Sequence, residues 1–260
     1  MVQSCRWRIR QKNGKAEPAD LGKWASELNI SSFLARLLWR RGLTDPRGME
    51  VFLGPNLRHL PRIGQWPELD RAADILAQEL DRGTTLAVWG DYDADGVTAT
   101  ALVLHFLRRR GYEAVPYLPH RLTEGYGLNF EGLEQLAASG AGCLLTVDCG
   151  VSDVEGVERA RELGMTVVIS DHHQVGETLP GASALVNPKL GAGIYNEVAG
   201  VGVAFLLMAA LNRKLPGDPL DMREYLDLVA LGTVADVVEL TGENRILVKQ
   251  GLRRMSTQPR

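Results

Sequence analysis

Residues 84–100 read TTLAVWGDYDADGVTAT. The first seven form an apolar, β-branched run closed by glycine, the pattern of a strand buried on both faces. From Val97 to Arg110 the apolar residues recur at helical spacing. Between the two sit Asp91, Asp93 and Asp95. The same alternation continues outward. EAVPYLP (113–119), CLLTVDCG (143–150), TVVISDHH (166–173) and the short SALVNP (183–188) read as strands. Phe130–Ala138, Val154–Leu163, Gly200–Arg213 and Arg223–Ala235 read as helices. Strands separated by helices predict βαβ units with right-handed crossovers. The fold class is therefore α/β: a Rossmann-like, mainly parallel five-stranded sheet with flanking helices.

Upstream the rhythm differs. Leu28, Phe33, Leu34, Leu37 and Leu38 recur at helical spacing beside Arg36, Arg40 and Arg41. Pro46, Gly54-Pro55, Pro61, Gly64 and Pro67 then predict a loop-rich stretch. Leu69–Leu80 reads as an amphipathic helix. Residues 1–83 are thus a helical and irregular accessory region, and 84–260 the main domain.

Composition excludes several classes. The 260 residues are 45% hydrophobic and 23% charged, the balance of a globular protein with a sizeable core. No run approaches the ~20 apolar residues of a transmembrane helix, so no membrane is expected. MVQSCRWRIRQKNGK lacks the apolar centre of a secretory leader. Three cysteines make no disulfide framework, which fits a cytoplasmic location. A net charge of −3 gives no global nucleic-acid footprint. It leaves room for a cluster of carboxylates.

That cluster is legible at the strand ends. The first strand leads into Asp91, Asp93 and Asp95, the third into Asp148, and the fourth into Asp171, His172 and His173. In a parallel sheet these ends share one edge, where open α/β folds bind ligands. Acids at that density repel unless a cation lies among them. Oxygen donors with imidazole suit Mn2+ better than Mg2+ or Ca2+, and are too oxygen-rich for structural zinc. A calcium loop is excluded, because the twelfth position from Asp91 is Leu102 and a strand precedes the loop. Asp153, just before a helix, reads as a cap. Arg108–Arg110 complement a helix C-terminus. Gly200 and Gly202 read as close helix packing.

At GDYDADGVTAT (90–100), VDCGVSD (147–153) and ISDHH (169–173) the chain resembles the DHH phosphoesterase superfamily. PHRLTEGYGLN (119–129), Asn187-Pro188 and ALGTVADVVEL (230–240) make it similar to the RecJ-like single-strand exonucleases within it. The resemblance implies two divalent cations, Mn2+ preferred and Mg2+ the alternative. It implies that Asp93, Asp95, Asp148, His172 and Asp236 bind them, with Asp148 bridging and taking part in catalysis. His173 is implied to act on the scissile phosphate, with Asp91 and Asp171 behind the ligands and Asp171 fixing an imidazole. Arg121 and Tyr126 are implied to hold the terminal phosphate and stack a base. One departure stands out: where many members carry a histidine, this chain has Trp89.

The resemblance further implies 5′-to-3′ hydrolysis of single-stranded DNA to 5′-mononucleotides in repair and recombination. A repair helicase or single-strand-binding protein is the implied partner of a full-length protein. Two rivals are a DHH phosphoesterase on oligoribonucleotides, cyclic dinucleotides or pyrophosphate, and a non-catalytic binding module on a decayed DHH fold. The C-terminal substrate-binding domains that such enzymes carry are not expected within these 260 residues, whose last helix reads as Asn244–Met255.

Overall fold

The computed structural model describes residues 17–191, 195 and 197–258. The N-terminal stretch MVQSCRWRIRQKNGK, read as lacking a secretory leader, lies outside the described residues. The chain divides into two compact units between Pro55 and Asn56.

The first unit contains α1 (Leu21–Glu27), α2 (Ser32–Arg40) and α3 (Pro46–Leu53). Ser31 caps α2 by accepting from Leu34 N at 3.2 Å. Asp45 caps α3 by accepting from Gly48 N at 2.8 Å. The sequence predicted loop from Pro46 onward. Proline is well tolerated in the first turn, where its missing N–H would be unpaired anyway, so Asp45-Pro46 starts a helix instead of breaking one. Leu21, Ala25, Ala35, Leu38 and Met49 form a small core.

The second unit runs through α4 (Pro67–Asp81), β1 (Thr85–Gly90), α5 (Ala94–Arg109), β2 (Ala114–Tyr117), α6 (Phe130–Ala138), β3 (Ala141–Val147) and α7 (Val154–Glu162). It continues with β4 (Thr166–Ser170), β5 (Ala184–Val186), α8 (Gly200–Leu211), α9 (Leu226–Ala235) and α10 (Gly242–Thr257). The five strands are ordered β2-β1-β3-β4-β5, and every pair is parallel. Side chains alternate across the sheet. Leu86, Val88, Leu145, Val147 and Val168 share a core with α4, α5 and α8. Ala87, Trp89, Leu144, Val167 and Ile169 pack with α6 and α7 on the other side. Every residue of α8 is buried, as its all-round apolar sequence requires.

The boundary between units lies well before residue 83, because α4 packs on α8 and β5 as an integral layer of the second unit. Asp153 does not cap α7; its carboxylate accepts from Leu128 N at 3.2 Å instead. Arg109 pairs with Glu224, and Arg110 donates to Pro216 O and Asp218 O, so both tie α5 to the segment before α9. No helix of the described residues is long and apolar enough to cross a membrane.

Candidate metal centre

The order 2-1-3-4-5 reverses direction between β1 and β3, and open α/β sheets bind ligands outside the carboxyl ends of the strands at such a point. Asp91 follows β1, Asp148 follows β3, and Asp171-His172-His173 follow β4. Asp236 arrives separately, at the C-terminus of α9.

Backbone N–H groups hold the carboxylates of Asp93 and Asp95. Asp93 is the N-cap of α5, accepting from Gly96 N at 2.9 Å. Asp95, in the first turn of α5, is fully buried and accepts from Gly200 N at 2.7 Å and Val201 N at 2.9 Å. The positive end of the α8 dipole thus faces that carboxylate. Asp148 sits at φ 63, a left-handed conformation that a non-glycine residue adopts at a cost, with its N–H bound to Ser170 O at 2.9 Å. Val237, just after Asp236, is also left-handed at φ 62.

The side chains converge. His172 Nε2 lies 3.2 Å from Asp148 Oδ1, 3.6 Å from Asp236 Oδ2 and 3.8 Å from Asp95 Oδ2. Three sets of ligand atoms lie within 4.8 Å of one another: Asp95, His172 and Asp236; Asp91, Asp93 and Asp148; and Asp148, His172 and His173. Asp91, expected behind the ligands, stands within ligand reach of Asp93 and Asp148. Asp148 Oδ1, His172 Nε2 and Asp236 Oδ2 are all buried without a hydrogen-bond partner. An unsatisfied buried polar atom costs about 1–3 kcal/mol. A divalent cation would supply a partner to all three, so the residues fit the group that the sequence implied.

The electrostatics agree. Burial and then the neighbouring Asp95 charge push the Asp148 carboxyl up to about 10. Burial raises Asp95 to about 6, against the backbone hydrogen bonds that hold it charged. Burial lowers the His172 pKa, favouring the neutral imidazole, the form able to ligate a metal. His173 behaves oppositely, its pKa raised to about 9 first by its hydrogen bond to Asp171. Burial alone would raise the Asp171 pKa; bonds from His173 and Val151 N reverse that and bring it below its ordinary value. Asp171 Oδ1 accepts from His173 Nδ1 at 2.8 Å, His172 N at 2.7 Å and His173 N at 3.1 Å. Its Oδ2 accepts from Val151 N at 2.9 Å. With both oxygens engaged, Asp171 fixes the turn that presents both imidazoles.

Tyr126 stands against His173, hydroxyl to Nδ1 at 3.2 Å, rings edge-on at 5.5 Å. Burial raises the Tyr126 pKa, so the phenol stays protonated. Arg121 lies over the Tyr92 ring, 5.3 Å from its centroid, on the acidic loop. Trp89 does not point into the site; it is buried in the opposite core and stacks on Tyr117 at 4.1 Å.

The sequence reading missed the glycine cradle. A Cβ on Gly200 would lie 2.2 Å from Asp148 Oδ1, so this residue serves the carboxylate cluster and not helix packing. A Cβ on Gly232 would lie 2.4 Å from Thr98 Oγ1 and 2.7 Å from Asp95 Oδ1. The G-x-G and G-T-V-A-D strings were visible, but not what they face.

Fold and site together define a doubly wound α/β domain that gathers carboxylates and imidazole for divalent cations at its switch point. The chain belongs to the DHH family, whose N-terminal domain matches residues 85–233. It is 41% identical to the single-stranded-DNA-specific exonuclease RecJ of Salmonella typhimurium (strain LT2), over 98% of this chain and 44% of that protein. The Thermus thermophilus RecJ structure with Mn2+ matches at a TM-score of 0.76 and 34% identity, over 91% of this chain and 33% of that one. The corresponding Mg2+ structure matches at 0.64 and 32%, over 91% and 30%. The chain therefore spans less than half the length of these relatives.

Proposed function

We propose that this chain carries the catalytic centre of a metal-dependent exonuclease that hydrolyses single-stranded DNA from its 5′ end and releases 5′-mononucleotides. The observation that carries the reading is the convergence of Asp148, His172 and Asp236 through buried atoms that lack any other partner. Likeness to RecJ proteins supports the choice of substrate.

Asp95, His172 and Asp236 would hold one cation, and Asp93 and Asp148, with Asp91 beside them, a second. Mn2+ is the preferred ion and Mg2+ the alternative. Bound there, the cations would lower the pKa of a water and neutralise charge developing on the phosphate. The remaining work falls to side chains. His173, its pKa raised first by the Nδ1 hydrogen bond to Asp171, would in its protonated form have Nε2–H left to donate to a phosphate oxygen. Asp171 and Tyr126 orient that ring. Arg121, on the exposed loop after β2, offers a guanidinium to the terminal phosphate. The buried Cys143 and Cys149 thiols suit the cytoplasm, where a helicase or single-strand-binding protein would supply the strand.

The test compares single strands labelled at the 5′ or 3′ end, incubated with Mn2+, Mg2+ or a chelator. Release of 5′-labelled mononucleotide, lost in Asp148→Asn, is expected. Turnover of short oligoribonucleotides or cyclic dinucleotides with no action on DNA would select the small-substrate rival. Inertness toward all of them despite metal binding would select the binding module.

A further inference from the structure

A phosphodiester reaching this edge of the sheet would meet Asp91, Asp93, Asp95, Asp148 and Asp236. Any cationic side chain fixed at the rim would matter for holding it. Lys189 has that position. It is exposed, on the single 3-10 turn Pro188–Leu190 that follows β5. Its Nζ donates to the carbonyl oxygen of His172, the ligand histidine itself. The turn is tied to the same segment by Asn187, which is 1% exposed. Asn187 Nδ2 donates to His173 O at 3.0 Å, and its Oδ1 accepts from Lys189 N at 2.9 Å. One buried amide thus references the lysine to His173, while its own Nζ reaches His172. Burial raises the Asp236 pKa, and the Lys189 charge is among those opposing it, so the ammonium is felt at a ligand carboxylate.

An ammonium has three donors. One is taken by His172 O, and among the described residues no carboxylate lies within ion-pair distance of Nζ. We propose that Lys189 is a phosphate-contact residue, donating to a non-bridging oxygen of the strand phosphate that sits at the metal cluster. This rests on the exonuclease reading above and adds a determinant of strand affinity to it. A lysine suits the task as a compact point charge whose remaining donors can follow the phosphate.

The experiment measures binding of an oligo-deoxythymidine, 5′-phosphorylated and labelled at its 3′ end, by fluorescence anisotropy in Ca2+ to slow cleavage. Wild type, Lys189→Ala and Lys189→Arg are titrated at several salt concentrations, with Mn2+-induced melting shifts and strand cleavage recorded alongside. Loss of one charged hydrogen bond should weaken binding of the alanine variant roughly tenfold. Its log–log salt slope should fall by about 0.7, the value for one phosphate on a single strand. The arginine variant should keep the slope, and both should keep the wild-type Mn2+ shift. An unchanged Kd and slope in Lys189→Ala, or a wild type that does not bind the strand, overturns the proposal. A changed Mn2+ response matching the change in Kd also overturns it, because Lys189 would then act through Asp236. Wild-type cleavage reports separately on the exonuclease reading, so the two failures are distinguishable.

Discussion

A methyl group at Gly200 has no space to occupy. In Gly200→Ala the new Cβ would lie 2.2 Å from Asp148 Oδ1, 2.6 Å from its Cγ and 2.7 Å from its Cβ. Turning the carboxylate clears only the first two, so backbone must yield on one side. Asp148 is poorly placed to yield, being left-handed at φ 63 and bonded to Ser170 O at 2.9 Å. Overpacking of this kind costs about 1–3 kcal/mol. For a protein of this size that lowers Tm by roughly 2–12 °C. The larger consequence is for the cation. At 100 times Kd, a ligand that binds only the folded state adds about 2.7 kcal/mol. If the displaced Asp148 weakens binding tenfold, the same Mn2+ concentration adds only about 1.4 kcal/mol. The assay is thermal unfolding with chelator and with Mn2+, for wild type, Gly200→Ala and Gly202→Ala. Gly202 is the control, since its added Cβ meets Val198 Cγ1 at 2.3 Å, a clash that involves none of the acids. Its Mn2+ increment should be preserved. A full increment in Gly200→Ala would refute the idea that the close approach of α8 sets Asp148 for metal binding.

Two further outcomes follow from the same geometry. Asp148 and Asp95 are raised by burial to about 10 and about 6 from an ordinary 3.8, so above pH 3.8 the folded chain holds more protons than the unfolded one. Stability without metal should therefore be greatest at low pH on this account and decline as pH rises through about 6 toward 10. A cation must displace those protons, so the Mn2+ increment in Tm should be larger at pH 8 than at pH 6; an increment independent of pH would count against these acids as the ligands. Asp153→Ala removes the acceptor for Leu128 N, next to Gly127 at φ 88, and should cost about 1–2 kcal/mol while raising KM through a loosened Tyr126. Urea unfolding and steady-state cleavage check both parts, and an unchanged KM would detach Asp153 from the Tyr126 loop.

The alternation of strands and helices from Thr84 onward was legible because it is local. A run such as TTLAVWG can be buried on both faces only as a strand between helical layers, and Phe130–Ala138 repeats at 3.6 residues. That strand ends in a parallel sheet share one edge made Asp91, Asp148 and His172 a predictable group before any distance was known. Local chemistry also misled. Asp153 has the sequence of a cap, yet the nearby Leu128 N–H takes its carboxylate. Pro46 looks like punctuation and begins a helix.

What only the tertiary structure decided are the relations between distant segments. Nothing in the spacing says that α8 brings Gly200 N–H to Asp95 on the neighbouring α5, or that α9 ends with Asp236 3.6 Å from His172. Nor does it say that Asn187 clamps Lys189 to the histidine turn. Those placements depend on how buried, nearly featureless helices such as α8 seat against one another. That seating is set by side-chain shape across long-range contacts and leaves no periodic trace in the chain.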